Sequence, residues 1–164
     1  MSRRPQIAVI GKGVVDDDLA PLAEEVGRRL AEAGAVVVCG GRGGVMEAAA
    51  RGASSAGGSV IGILPSADPA TANVHCSHVV ATGIGSARNL AVVASGDAVI
   101  AIGGEWGTLS EIAHARNFGR PVVALRSWSL HPHVPIAGGD GIEVVEDPAA
   151  AAERALALAG SDAA

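Results

Sequence analysis

Short runs of β-branched residues alternate with longer Ala-rich amphipathic stretches along the whole chain. Apolar runs of strand length predict strands at residues 7–11, 35–40, 59–64, 78–82, 98–102, 121–125 and 142–145. Helical periodicity predicts helices at 17–33, 45–56, 87–95 and 108–118, and a last helix that starts at Asp147-Pro148. Gly34 is predicted to end the first of these helices, and Ser86 to cap the third.

The regular alternation of strands and helices predicts the fold class. The run at 35–40 is hydrophobic on both faces, which is typical of a parallel strand covered by helices on either side. We therefore predict an α/β fold with one Rossmann-like, doubly wound parallel sheet of about six to seven strands and helices on both faces. No linker or internal repeat interrupts the pattern, so residues 1–160 are predicted to form a single domain, followed by a frayed C-terminus at 161–164.

The composition argues against several classes of partner. The 164 residues carry a formal net charge of −5, and an acidic domain is poorly suited to a nucleic-acid backbone. One Phe, two Trp and no Tyr leave few platforms on which single-stranded bases could stack. No apolar run reaches the length of a membrane span, and the first residues lack the apolar core of a signal peptide. We expect a soluble, cytoplasmic protein with no membrane partner.

The turn after the first strand, "GKGVVD", tests for dinucleotide binding. Gly11 and Gly13 fit the start of G-x-G-x-x-G, but Asp16 stands at the third glycine. Cys39 and Gly40 stand near the end of the second strand, where a ribose-binding acidic residue is expected. An NAD site is therefore disfavoured, and Cys39 is most simply a small buried apolar residue, since two cysteines make no disulfide framework.

Three other strand-to-helix junctions carry a stronger signal. Residues 39–53, "CGGRGGVMEAAARGA", and residues 103–115, "GGEWGTLSEIAHA", each pass from a buried strand through glycines into a helix. A third junction, "GIGSARNLAVV" at 83–93, adds Arg88 at the start of its helix. The carboxyl ends of parallel strands share one edge of the sheet, and helix N-termini bind anions there. These loops predict a phosphate-binding crevice, although no P-loop sequence is present.

These motifs resemble the LOG (Lonely Guy) family, whose signatures are G-G-G-x-x-G-L-M and P-G-G-x-G-T-x-x-E, with an arginine before the second. The resemblance covers residues 7 to about 125. The matching residues are Gly40, Gly41, Gly44, Val45 and Met46 for the first signature, Gly107, Thr108 and Glu111 for the second, and Arg88 for the arginine. Departures occur at Gly103, Glu105, Glu47 and Asn89. The pattern looks more like the shorter branch of the superfamily, which includes molybdenum-cofactor carrier proteins.

The resemblance implies two alternative functions. The first is a nucleoside 5′-monophosphate phosphoribohydrolase, which cleaves the N-glycosidic bond to give a base and ribose 5-phosphate. The alternative is a non-catalytic carrier or sensor that binds molybdenum cofactor or a nucleotide. A lysine decarboxylase, a label common in this family, is rejected because Lys12 is the only lysine and lacks the setting of a Schiff-base residue.

The resemblance also implies the roles of particular residues, with no metal and no organic cofactor. Catalysis would rest on Arg88 and Glu111. Phosphate or nucleotide binding would involve Gly40, Gly41, Gly43, Gly44, Met46, Gly103, Gly104, Glu105, Trp106, Gly107 and Thr108. A homodimer or higher homo-oligomer is implied as well. Helices 45–56 and 87–95 would meet across a two-fold axis, with Val92 and Val93 supplying apolar area.

Each polar candidate also has a structural alternative. Thr108 and Glu111 fit a capping box, whereas the functional reading directs the Glu111 carboxylate at a ribose. Arg88 could pair with surface carboxylates, but a cation at a helix start opposes the helix dipole, which favours a role in binding phosphate. Glu105 is expected to be solvated or to pair with Arg88 or Arg42.

Two further groups of side chains remain open on the sequence alone. Trp106 could stack on a ligand or lie in a dimer contact. His75, Cys76 and His78 lack a second ligand group at a usual spacing, so a metal site there is disfavoured.

Overall fold

The computed structural model describes residues 3–14, 18–136, 139 and 141–161. Within these residues it contains seven strands: β1 (Gln6–Gly11), β2 (Val36–Cys39), β3 (Val60–Leu64), β4 (His78–Ala81), β5 (Ala98–Ile102), β6 (Val122–Leu125) and β7 (Ile142–Val145). The same residues form five α-helices: α1 (Leu19–Glu32), α2 (Val45–Ser55), α3 (Arg88–Ser95), α4 (Trp106–Asn117) and α5 (Pro148–Ser161). Short 3₁₀ helices lie at Pro69–Thr71 and Gly85–Ala87.

All seven strands of the described residues lie parallel in one sheet, in the order β4-β3-β2-β1-β5-β6-β7. The predicted α/β fold with a doubly wound parallel sheet is confirmed. The chain builds the sheet outward from β1 to β4 and then returns to pair β5 with the other side of β1. The sheet therefore changes winding direction between β1 and β5, where ligands bind in open α/β sheets.

Alternate residues of the strands face two hydrophobic layers. Ile7 and Val9 of β1 pack in the layer that includes α1, α2 and α5. Ala8 and Ile10 pack in the opposite layer, with α3 and α4. All four side chains are at most 2% exposed, so β1 is a central strand covered on both faces, and the turn that follows it lies in the middle of the sheet edge.

The ends of two helices agree with their predicted signals. Gly34, at φ +80°, follows α1, and its N–H donates to the carbonyl of Ala31 while the N–H of Ala35 donates to Leu30, which is a Schellman motif. At the start of α5, the Asp147 carboxylate accepts from the N–H of Ala150.

The starts of two helices correct the predictions. Ser86 does not cap α3, because it lies in the 3₁₀ turn before the helix and the N-cap residue is Ala87. Helix α4 begins at Trp106 rather than at residue 108, with Glu105 as its N-cap. Thr108 and Glu111 therefore lie inside the helix and make no capping box, which removes the structural explanation of Glu111.

Small residues on α2 pack within the chain instead of facing a second subunit. A Cβ at Gly27 of α1 would come 2.0 Å from the Ala49 carbonyl oxygen, and one at Gly52 of α2 would come 1.9 Å from that of Glu24. On α3, Val92 and Val93 are fully buried in the core. The predicted contribution of these faces to a dimer contact is wrong, because α1 and the sheet already cover them.

No helix in the part of the chain that the structure describes is long and apolar enough to cross a membrane. Asp16, which argued against a dinucleotide site, lies outside the described residues. So do residues 162–164 of the predicted frayed C-terminus.

Candidate functional site

A cavity of about 180 Å³ opens at the carboxyl ends of β1 and β5, where Gly11 pairs with Ile102. The three predicted junctions and the turn after β1 all supply its walls: Gly11, Lys12, Gly13, Gly40, Met46, Arg88, Asn89, Glu105, Gly107, Thr108 and Glu111, besides two residues of β1. The structure thus brings Arg88 and Glu111, the predicted catalytic pair, to one cavity. Five of the eleven residues predicted to bind phosphate or nucleotide line it as well: Gly40, Met46, Glu105, Gly107 and Thr108.

Arg88 is the first residue of α3, and its side chain is only 9% exposed. Its Nη1 donates to the carbonyl of Ile63 at 2.8 Å, whereas its Nε finds no hydrogen-bond partner among the described residues. Burial lowers the pKa of Arg88, and the negative charge of Glu111 opposes that effect. A buried guanidinium with an unused donor is costly unless an anion binds it.

Gly40 makes room for this arginine. A Cβ at position 40 would lie 1.9 Å from Nη1 of Arg88 and 2.5 Å from Sδ of Met46. Because both distances are far below van der Waals contact, any larger residue at Gly40 would displace the guanidinium. Gly40 and Met46 both line the cavity, and the absence of a Cβ at Gly40 leaves room there for the Arg88 guanidinium.

Two other glycines of the turn between β2 and α2 are required by the conformation of the backbone. Gly41 and Gly44 adopt φ values of +70° and +69°, which only glycine takes without strain. A Cβ at Gly44 would also collide with the Lys12 carbonyl oxygen, at 2.2 Å. Gly41, Gly43 and Gly44, predicted as phosphate ligands, do not line the cavity. Gly41 and Gly44 shape the turn that carries Gly40.

The N-terminus of α4 presents backbone donors to the cavity. Gly103 and Gly104 turn the chain into the helix at φ +56° and +120°. Gly107 and Thr108 then line the cavity, and within the described residues no side chain caps the helix. Free N–H groups and the positive end of the helix dipole therefore point to one place, which suits a phosphate or another anion.

Glu111 lies further along α4 and is 9% exposed. Burial raises the pKa of Glu111 to about 7, because desolvation outweighs the opposing charge of Arg88. Glu111 can therefore gain or lose a proton near neutral pH. A carboxyl group tuned in this way can either accept a hydrogen bond from a ligand hydroxyl or transfer a proton.

Glu105 pairs with neither predicted arginine. Its Oε1 lies 3.9 Å from Nζ of Lys12, and its side chain is 73% exposed. The prediction of a largely solvated side chain is confirmed, but the nearby cation is Lys12. Sequence reasoning missed Lys12 as a site residue, although its place between Gly11 and Gly13, directly after the central strand, was a usable signal.

Trp106 does not line the 180 Å³ cavity, and it is 76% exposed. Its ring centroid lies 5.4 Å from that of Trp128, whose Nε1 donates to the carbonyl of Glu105 at 3.3 Å. The two indoles therefore form an aromatic pair beside the start of α4.

The two cysteines are free thiols that lie near each other. Cys39 is fully buried, as predicted, and the contact with Cys76 raises its pKa while that of Cys76 is lowered. Among the described residues no three His, Cys, Asp or Glu side chains are grouped so that they could hold a metal ion.

The family model described as the SLOG cluster4 family matches residues 4–151. The chain belongs to the SLOG cluster4 family. This membership confirms the relationship to LOG-like proteins that the two turn motifs predicted. A protein from Archaeoglobus fulgidus, described as uncharacterized, is 45% identical over 143 residues, which cover 87% of this chain and 89% of the relative.

Solved structures of two SLOG-like proteins superpose closely. The molybdenum cofactor binding protein from Rippkaea orientalis is 32% identical, with a TM-score of 0.84 over 100% of both chains. The molybdenum cofactor carrier protein from Chlamydomonas reinhardtii is 32% identical, with a TM-score of 0.81 over 96% of this chain and 99% of the relative. The predicted similarity to the shorter branch of the superfamily is confirmed.

Proposed function

We propose that this protein binds a phosphorylated heterocyclic small molecule of the molybdenum-cofactor class in the cavity between β1 and β5, and that it acts as a carrier. The observation that carries the proposal is the Arg88 guanidinium, which lines the same cavity as the uncapped start of α4. A phosphate placed between them would pair with the guanidinium and accept hydrogen bonds from the free backbone N–H groups. The names of the two similar solved proteins support molybdenum cofactor as the ligand.

The test is retention of the ligand. The protein would be mixed with molybdenum cofactor released from a molybdoenzyme, passed through a desalting column and assayed for molybdenum and pterin. We expect stoichiometric retention by the wild type and a roughly 10- to 100-fold loss of affinity for Arg88→Met, because that change removes a charge-assisted bond to phosphate.

The matched control is Arg42→Met, which removes the same charge from an exposed residue that does not line the cavity. Equal losses of affinity for Arg42→Met and Arg88→Met would mean that Arg88 acts only through the overall charge of the protein and not through a specific contact. Retention that is absent in the wild type would contradict the carrier proposal.

Glu111 favours a second candidate, the phosphoribohydrolase. A carboxylate in this cavity could stabilise positive charge on a ribose as the bond between C1′ and the base breaks. Water would add to C1′ and the base would leave with a proton, giving ribose 5-phosphate. The raised pKa of Glu111 predicts a rate that increases as the pH passes 7, where the carboxylate form becomes dominant.

Incubation with AMP and related monophosphates, followed by an assay for ribose 5-phosphate, separates the two candidates. Turnover that is lost in Glu111→Gln, with nucleotide affinity retained, would establish the hydrolase. Binding of a nucleotide without turnover would favour the carrier function. For either candidate, the homodimer implied by the resemblance stays a prediction.

A further inference from the structure

Arg126, the first residue after β6, has an unusual backbone conformation. It is the one non-glycine residue with a positive φ, +49°, among the residues that the structure describes. Left-handed backbone is unfavourable for a long side chain, and such strain is concentrated at functional positions. The conformation is held on both sides, since the N–H of Gly103 donates to the Leu125 carbonyl and the Ser127 hydroxyl donates to the Gly103 carbonyl.

Arg126 lines a second cavity, of about 440 Å³. Its other walls include Lys12, Gly104, Glu105 and Trp128. Lys12 and Glu105 also line the 180 Å³ cavity of Arg88 and Glu111, so the two spaces adjoin across this pair of side chains. A ligand anchored in the first cavity can therefore extend into the second.

The charges of the second cavity suit an anion. Lys12 and Arg126 supply two cations, and Glu105 supplies one carboxylate. The distance of 3.9 Å between Lys12 Nζ and Glu105 Oε1, with Glu105 largely exposed, makes a weak pair that a stronger anion can displace. The guanidinium of Arg126 can donate two parallel hydrogen bonds to a phosphoryl group.

We propose that the second cavity binds a second phosphoryl group, so that the site prefers ligands with a diphosphate over ligands with one phosphate, and that Arg126 determines this preference. The proposal rests on the proposed function in placing the first phosphate beside Arg88. The volume of the second cavity leaves room beyond a phosphate, which allows a group attached to the diphosphate to enter it.

Tryptophan fluorescence can report ligand binding in the second cavity. The chain's two tryptophans are Trp128, which lines the second cavity, and Trp106, whose ring contacts that of Trp128 at a tilt of 37°. AMP, ADP, inorganic phosphate and pyrophosphate would be titrated calorimetrically and by tryptophan fluorescence. We expect ADP to bind roughly tenfold or more tightly than AMP, and only the diphosphates to change the fluorescence strongly.

The decisive variant is Arg126→Asn, since asparagine tolerates the left-handed backbone and the shorter, neutral side chain removes the positive charge. It should reduce ADP affinity to that of AMP and leave AMP affinity within twofold. Arg4→Asn, which changes an exposed arginine outside both cavities, should change neither affinity.

The outcomes separate the two proposals. AMP and ADP that bind equally well, or an Arg126→Asn variant that retains the ADP preference, would overturn the role of the second cavity while the first site stands. Pyrophosphate that binds and depends on Arg126, with no binding of AMP, would uphold the second cavity. No binding by any of the four probes would overturn the role of the second cavity, whereas the first site stands or falls with the retention of molybdenum cofactor.

Discussion

The guanidinium of Arg88 lies directly over the α-carbon of Gly40, so closely that a Cβ at position 40 would come within 1.9 Å of Nη1. The glycine turn after β2 and the arginine at the start of α3 are therefore one unit. The turn contributes to ligand binding by leaving space for the Arg88 side chain.

This relationship predicts the effect of Gly40→Ala. The added methyl group should displace the guanidinium, reduce phosphate-ligand affinity by roughly the 10- to 100-fold expected for loss of Arg88, and destabilise the fold by about 1–3 kcal/mol through overpacking. Titration calorimetry and urea unfolding measure the two effects. Gly43→Ala is the matched control, because a Cβ there meets nothing closer than 3.6 Å. Similar results for both variants would refute the link to Arg88.

Glu111 predicts a pH dependence of stability. Its folded-state pKa of about 7 exceeds the ordinary 4.5, so the folded protein holds this proton more tightly than the unfolded chain does. Stability from this group is complete below pH 4.5 and is lost as the pH rises through 7. The difference between these two pKa values corresponds to about 3 kcal/mol of stability.

The comparison of wild type with Glu111→Gln isolates that contribution from other carboxylates. Urea unfolding from pH 5 to pH 8 should show the variant becoming more stable relative to the wild type as the pH rises. A constant difference between the two proteins across this range would mean that Glu111 titrates normally.

The backbone at Arg126 predicts an unequal response to two small residues. Glycine adopts a positive φ without strain, whereas alanine does not. Arg126→Gly should therefore be more stable than Arg126→Ala by about 1 kcal/mol in urea unfolding. Equal stabilities would indicate that the left-handed conformation is not retained in solution.

Local patterns were sufficient to predict the sheet, most helix ends and the meeting of three junctions at one edge. They failed where the answer depended on packing between distant segments. Val92 and Val93 have the same pattern whether they face a sheet or a second subunit, and only the fold shows them buried. The capping box at Thr108 failed because the helix starts two residues earlier, after Glu105.

The second cavity was also beyond the reach of sequence reasoning. It forms where the turn after β1 meets the end of β6, segments more than a hundred residues apart in the sequence. Nothing in the local sequence "LRSWS" marks Arg126 as left-handed, since that conformation is imposed by the hydrogen bonds at Gly103 and Ser127. Lys12, by contrast, could have been inferred from its place after the central strand.

The last prediction concerns assembly. The LOG-like resemblance implies at least a two-fold dimer, but the faces first expected to form it are covered by α1 and the core. On α3 the large apolar side chain that stays accessible is Leu90, which is 37% exposed and lies two residues from Arg88. If α3 joins the dimer contact, Leu90→Glu should shift the sedimentation equilibrium at micromolar concentration toward the 16.1 kDa monomer, because it buries a charge in an apolar interface.

The control is Glu153→Gln on α5, an exposed change on the opposite face of the sheet, which should leave the mass unchanged. A wild-type protein that sediments as a monomer would contradict the predicted dimer, and it would exclude any ligand site completed by a second subunit.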